Sequence, residues 1–413
     1  MPHTPLSRRH IFLRILLPFA LGYYLSYFYR VVNAVLSTDL ARDLGLGPDA
    51  LGLLTASYFI TFAAAQLPLG LLLDRYGPRR IESLLLLFAA LGALLFARGE
   101  SGAALILGRG LIGLGVSACL MAAFKAFTLW FPPERLPLVN GVIMASGGLG
   151  ALTATAPVQQ ALAFTDWRGV FLILSGVTLA IALAVFLLVP EQPVKPKGET
   201  FRKQLSGIRS VFTDRFFWRV APLSMLSQAS FISIQSLWAG PWLQDVAHLS
   251  PSAAADVLLS IAAAMMAGFL GMGLLAERLG RLGIRPARVA GTGMFLFILT
   301  QGLIALGPAP DQVPLVWMLF GFFGTAGIIQ YAALSQHFPH HLAGRVNTAI
   351  NLLVFIAAFC LQWASGAIID LWPQLSPGHY QPQAYRVTFG ILLALQATAF
   401  LWFLVPHNGR ARQ

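Results

Sequence analysis

The apolar residues of this chain fall in runs of about 20, each long enough to cross roughly 30 Å of hydrocarbon as a helix. Six runs lie at Ile11–Ser37, Leu51–Leu73, Ile81–Ala97, Ala103–Leu129, Leu138–Ala163 and Gly169–Val189. After a polar stretch, six more lie at Trp218–Leu243, Ala253–Ala276, Ala287–Leu306, Val313–Gln336, Val346–Ile369 and Tyr385–Val405. Gly, Pro and charge mark the breaks, as turns require. Only 11% of the 413 residues are charged and 57% are hydrophobic, against about 25% charged in an ordinary soluble domain. No water-soluble core hides that much apolar surface. The expected fold class is an all-α membrane protein with twelve transmembrane helices, and the lipid bilayer is its first partner.

The net charge of +12 would suggest nucleic acid in a soluble protein, but here the positions explain it. Arg8, Arg9, Arg14, Arg75, Arg79, Arg80, Lys125 and Arg135 fall on one side of the spans. So do the basic residues of the middle stretch, and Arg278, Arg281, Arg285, Arg288, Arg345, Arg410 and Arg412. Asp39, Asp43, Asp49, Glu100, Asp166, Asp245, Asp256, Asp311 and Asp370 lie on the other. Positive residues stay inside, so both termini and the middle stretch are expected in the cytoplasm. No nucleic-acid partner is expected. The basic start lacks a secretory cleavage pattern, so the first span is read as retained. Cys119 and Cys360 sit inside apolar runs and imply neither a disulfide framework nor a metal site. No cofactor is expected, and no catalytic constellation points to an enzyme.

The chain echoes itself. Gly70-Leu-Leu-Leu-Asp74-Arg75-Tyr-Gly77-Pro-Arg79-Arg80 follows the second span, and Gly273-Leu-Leu-Ala-Glu277-Arg278-Leu-Gly280-Arg281 follows the eighth. Phe131-Pro132 with Val139-Asn140 recurs, at nearly the same offset, as Phe338-Pro339 with Val346-Asn347. Two such echoes argue for duplicated halves, a transporter architecture. The first element resembles the loop signature of the major facilitator superfamily, Gly-x-x-x-Asp-Arg-x-Gly-x-Arg-Arg. Arg109-Gly-Leu-Ile-Gly113-Leu-Gly115 and Asp166-Trp167-Arg168 are similar to further family patterns. The resemblance implies two pseudo-symmetric six-helix bundles, residues 1–189 and 218–413, joined by a cytoplasmic linker, 190–217. It also implies secondary transport by alternating access, with Asp74, Arg75 and Arg79 gating and Glu277 and Arg278 as their second-half counterparts. Arg109 is implied in proton coupling; a structural pairing with Asp166 or Glu100 is the other reading. Within the linker, Phe201, Leu205, Ile208, Val211 and Phe212 recur at helical spacing among basic residues, which predicts an amphipathic helix on the inner membrane surface.

Ionisable groups deep in a span are costly and mark function. Arg30 is the clearest, well inside the first span. Tyr23, Ser26, Tyr27, Arg30, Asn33 and Ser37 share one helical face at spacings of three or four, and a polar stripe with an arginine belongs against a water-filled cavity. Tyr27-Phe-Tyr-Arg30-Val-Val-Asn33 resembles the first span of organophosphate antiporters and organic-anion symporters, where the arginine meets an anionic substrate. A guanidinium stays charged and grips a carboxylate or phosphate in a bidentate fork. Span seven lacks the second arginine of the phosphate-ester antiporters, and Tyr29 stands where the symporters carry Asp. A monocarboxylate or zwitterion therefore fits better than a phosphate ester. Tyr58, Gln159, Gln235, Trp238, Gln330, Tyr331 and Asn351 are further cavity candidates, although neutral amides in spans also serve as interhelical glue. Lys125, near the end of span four, reads more readily as snorkelling to headgroups. Asp39 and Asp370 sit near span ends and no acid is central, which leaves the coupling ion open. The reading is a monomeric secondary transporter of a small organic anion in a bacterial inner membrane. The alternative is an exporter of amphipathic or siderophore-like compounds, whose cavity Trp238 and Tyr331 would line; a non-transporting membrane sensor is the third.

Overall fold

The structure, a computed structural model, describes residues 12–132, 135–191, 209–284, 286–327, 330, 334, 337–338 and 342–405. Among these residues the regular elements are all helical. Eight helices are long and apolar enough to cross a bilayer: Pro48–Tyr76, Pro78–Arg98, Gly102–Trp130, Trp167–Leu188, Pro251–Leu275, Arg288–Leu306, Arg345–Ile369 and Pro382–Leu404. Phe12–Val31 with Asn33–Leu44 adds a ninth, bent by 47°. The fifth, seventh and tenth expected spans are assembled from shorter pieces. Span five is Leu136–Thr153 then Ala156–Ala161. Span seven is Arg215–Ser233, a π-helical turn at Ile234–Trp238, and Ala239–Asp245. Span ten begins as Val313–Phe323 and passes into a 3-10 turn at Gly324–Gly327.

Helix ends follow local chemistry. Pro48 begins span two at a position where its missing N–H costs nothing, and the helix runs on to Tyr76, beyond the expected Leu73. It stops at Gly77, whose φ of 82° only glycine adopts without strain. Pro78 then opens span three. The echo in the second half turns differently. Gly280 lies inside the helix Pro251–Arg281, and the positive φ falls at Gly283. With no proline after Gly280, the helix runs on to Arg281 before it turns.

Span one breaks at Val32, where the chain turns by 47° between its two helices. Span four also breaks: Gly102–Val116 ends at Ser117, and Cys119–Trp130 resumes after Ala118. The expected linker helix lies mostly outside the described residues. Its end is seen, with Val211 buried and the carbonyl of Phe212 accepting from the Trp218 indole at 2.6 Å.

Within the first half, span three packs against spans four and six, and span one against span five. Between the halves, span two lies along span eleven, and span five meets span eight. Side chains such as Leu107, Ile173, Leu187 and Leu401 stay exposed on the flanks, as a surface bathed in hydrocarbon requires. Call the end bearing Asp74 the linker end and the end bearing Gly45–Pro48 the distal end. At the distal end the halves meet backbone to backbone. A side chain at Gly240 would strike the carbonyl of Ala34, and one at Gly366 that of Pro48. Small residues permit this closeness between helices.

Candidate functional site

Arg30 lies one residue before the end of the first helix of span one. Three rings enclose its guanidinium. The centroid of Tyr27 is 4.5 Å away, that of Phe355 5.3 Å and that of Phe62 5.6 Å. Phe62 and Phe355 face each other across the two halves at 4.3 Å. Each ring face attracts a cation by about 0.5–2 kcal/mol, more when water is excluded. Among the described residues no carboxylate pairs with Arg30, and its Nε has no hydrogen-bond partner. The side chain is half-buried, so part of the charge remains reachable. Tyr58 stacks on Phe62 beside it, with its hydroxyl donating to the Ser26 carbonyl at 3.2 Å.

The rest of the polar stripe serves packing. Tyr23 contacts Met144 of span five. Asn33 donates to Thr55 of span two at 3.0 Å, and Ser37 to the carbonyl of Ala34. Because span one bends after Val31, Asn33 and Ser37 do not continue the line of Tyr27 and Arg30. Arg30 is thus the only member of the stripe that is both charged and partly open.

The other expected residues scatter. Asn351 donates to Gln66 of span two at 3.3 Å, bridging the halves. Gln235 is buried against Met265, and Trp238 donates its indole to the carbonyl of Gln362 at 3.3 Å. Gln330 is buried with both amide atoms unpartnered; Tyr331 lies outside the described residues. Gln159 lines a separate cavity of about 460 Å³ at the distal end, with Thr38, Asp39, Arg42, Gln244, His248 and His379. Sequence reasoning missed Phe62 and Phe355. Phe62 follows Tyr58 by one helical turn, a usable signal; nothing in the sequence joined Phe355 to either.

Arg109 pairs with neither Asp166 nor Glu100. It is 1% exposed, donates to the carbonyl of Tyr29 at 3.0 Å, and lies 5.4 Å from the ring of Tyr58. Asp166 instead caps its own helix through the Gly169 N–H. At the linker end, Lys125 does not snorkel: its Nζ meets Asp74 at 2.6 Å. Arg79 donates to the carbonyl of Phe186 at 2.7 Å, and Arg80 pairs with Glu191. Arg75 stacks over Tyr76, and Arg278 is exposed. The side chain of Glu277 lies outside the described residues.

Two buried carboxylates complete the inventory. Asp245, the last residue of span seven, accepts from the Tyr380 N–H at 2.9 Å and the Tyr385 hydroxyl at 2.7 Å, and its other oxygen meets His379 Nδ1 at 2.7 Å. Glu82 in span three is 0% exposed, and among the described residues only the Cys119 thiol, a weak donor, stands beside its oxygens. The reading that no acid is central did not single it out: Glu82 follows Arg79 and Arg80 so closely that it reads as one more charge at the membrane surface.

With this geometry in view, comparison with known proteins is informative. The family model of the Major Facilitator Superfamily matches residues 19–361. The chain is 26% identical over 190 residues to the "Probable sulfoacetate transporter SauU" of Cupriavidus necator, covering 46% of this chain and 44% of that protein. It is 25% identical over 419 residues to the "Probable nitrate/nitrite antiporter NarK1" of Thermus thermophilus, covering 94% and 90%. The alignment therefore spans less than half of the first relative and most of the second. In structure it is similar to a bacterial homologue of the human lysosomal transporter Spinster, with a TM-score of 0.79 at 19% identity over 96% of this chain and 97% of that one. The helical architecture and the family match agree: this chain belongs to the Major Facilitator Superfamily, a family of membrane transporters and not of enzymes.

Proposed function

We propose that the chain is a secondary transporter that moves a small organic anion, a carboxylate or zwitterion, by alternating access, with Arg30 as the contact for the anionic group. The observation that carries this is the aromatic cage. A guanidinium deep in a span is held by Tyr27, Phe62 and Phe355 with no acid beside it among the described residues, so its charge is left for a ligand. Two of the three rings come from opposite halves, the arrangement expected of a site at a repeat interface. The named substrates of the relatives, sulfoacetate and nitrate or nitrite, are anions, which supports the same class. Tyr58 is the neighbouring hydroxyl that would orient the ligand. Asp74 with Lys125, and Arg79 and Arg80 with the end of span six, are assigned to the gate at the linker end. The charge pattern supports a cytoplasmic position for that end, in the reading of a bacterial inner membrane.

The test is reconstitution in liposomes with radiolabelled sulfoacetate, nitrate and simple carboxylates as probes. A charge-assisted bond is worth about 1.5–3 kcal/mol, or about 10- to 100-fold in affinity. Arg30→Gln is expected to lose at least that much, with Arg30→Lys intermediate because an ammonium lacks the planar fork. Uptake of a transported probe that is unchanged in Arg30→Gln rules out the assignment.

A further inference from the structure

Glu82 has a setting that no structural role explains. It lies one turn inside the linker end of span three, enclosed by spans one and four. Span one faces it with Gly22, where any side chain would occupy the position of Oε1. Span four faces it with the Cys119 thiol, the one titratable group beside it among the described residues and at best a weak donor. The two buried or half-buried bases of span four are already engaged: Lys125 with Asp74, and Arg109 with the carbonyl of Tyr29. Span six brings no acid or base to this level; its Arg168 bonds the carbonyls of Ala97 and Gly99 at the distal end. A carboxylate without donors is among the costliest groups to bury, by several kcal/mol when ionised. A hydrocarbon side chain would fill this place at no such cost.

The surroundings also tie Glu82 to moving parts. Cys119 is the first residue after the break in span four, so the carboxyl rests against the point we take as a hinge. The broken helix leaves the Ser117 carbonyl to accept from Gln66 Nε2 at 3.5 Å, while Gln66 Oε1 accepts from Asn351 of span eleven. One line of contacts thus runs from Glu82 through the hinge to the other half. Gly22 belongs to the same rigid helix as Arg30, about 12 Å further along at 1.5 Å per residue.

We propose that Glu82 is the proton-binding site of the transport cycle. The carboxyl holds a proton while packed against Gly22 and the hinge of span four. It releases the proton when rearrangement of span one or span four opens it to water. Coupling to substrate rests on the Arg30 reading above; proton binding itself does not.

Two measurements separate the claims. Infrared difference spectra of the purified protein in lipid, between acid and alkaline buffers, are expected to contain a protonated-carboxyl band that is absent from Glu82→Gln. Spectra identical in wild type and Glu82→Gln overturn the proposal whatever the substrate. In liposomes with the probe that Arg30 recognises, Glu82→Gln is expected to exchange probe for probe at the wild-type rate but to lose accumulation driven by a pH gradient, with Glu82→Asp retaining part of it. Gradient-driven accumulation intact in Glu82→Gln also overturns it. If Arg30→Gln transports normally while the Glu82 band is present, the substrate assignment fails and the proton site stands.

Discussion

Asp245 and Glu82 are both buried acids, and their surroundings are opposite. Asp245 is met by three groups from the 379–385 stretch; Glu82 has beside it only the weakly donating Cys119 thiol among the described residues. The satisfied acid joins the loop before span twelve to the end of span seven and acts as a fastener. The unsatisfied acid fastens nothing. A buried polar group with its full set of donors is structural, whereas one left without them is retained for what its proton does.

The comparison breaks most visibly under substitution. Asp245→Ala strands a buried hydroxyl, a backbone N–H and an imidazole, and is expected to cost about 3–5 kcal/mol, read as a lowered denaturation midpoint in detergent. Gly22→Ala forces a methyl onto the Glu82 carboxyl and is expected to cost about 1–3 kcal/mol as overpacking. Combining it with Glu82→Ala should recover most of that loss, a coupling that a double-mutant cycle measures; additive losses would mean the two positions do not touch. Glu82→Leu, in contrast to Asp245→Ala, should change stability by less than about 1 kcal/mol or raise it, although transport coupling is lost. Lys125→Ala removes an ion pair that is one-third exposed on the lysine side and is expected to cost only about 0.2–1 kcal/mol.

The fold was legible because lipid is a strict reader: a helix must run about 20 apolar residues to cross, and those runs stand out. What was not legible was where the helices fail to run straight. No proline marks the bend at Val32 or the break at Ser117, so nothing local announced them. Arg30 and Tyr27 were legible through charge and spacing on one helix. Phe355 was not, because its part in the cage depends on contact between distant spans. Trp238 and Gln235 are buried against Gln362 and Met265, which the sequence does not announce, since polar atoms in a span look alike whether they line a cavity or join helices. Glu82 was hidden by its neighbours: beside Arg79 and Arg80 it reads as topology, and only packing against Gly22 shows that it points inward.

The aromatic cage has an electrical consequence. Rings hold the Arg30 guanidinium without cancelling its charge, so on the proposed reading a bound monoanion removes one positive charge from the cage. A membrane potential, worth about 2.3 kcal/mol per charge per 100 mV, would then weigh differently on the vacant and the loaded carrier. The two crossings of one cycle would answer to voltage unequally.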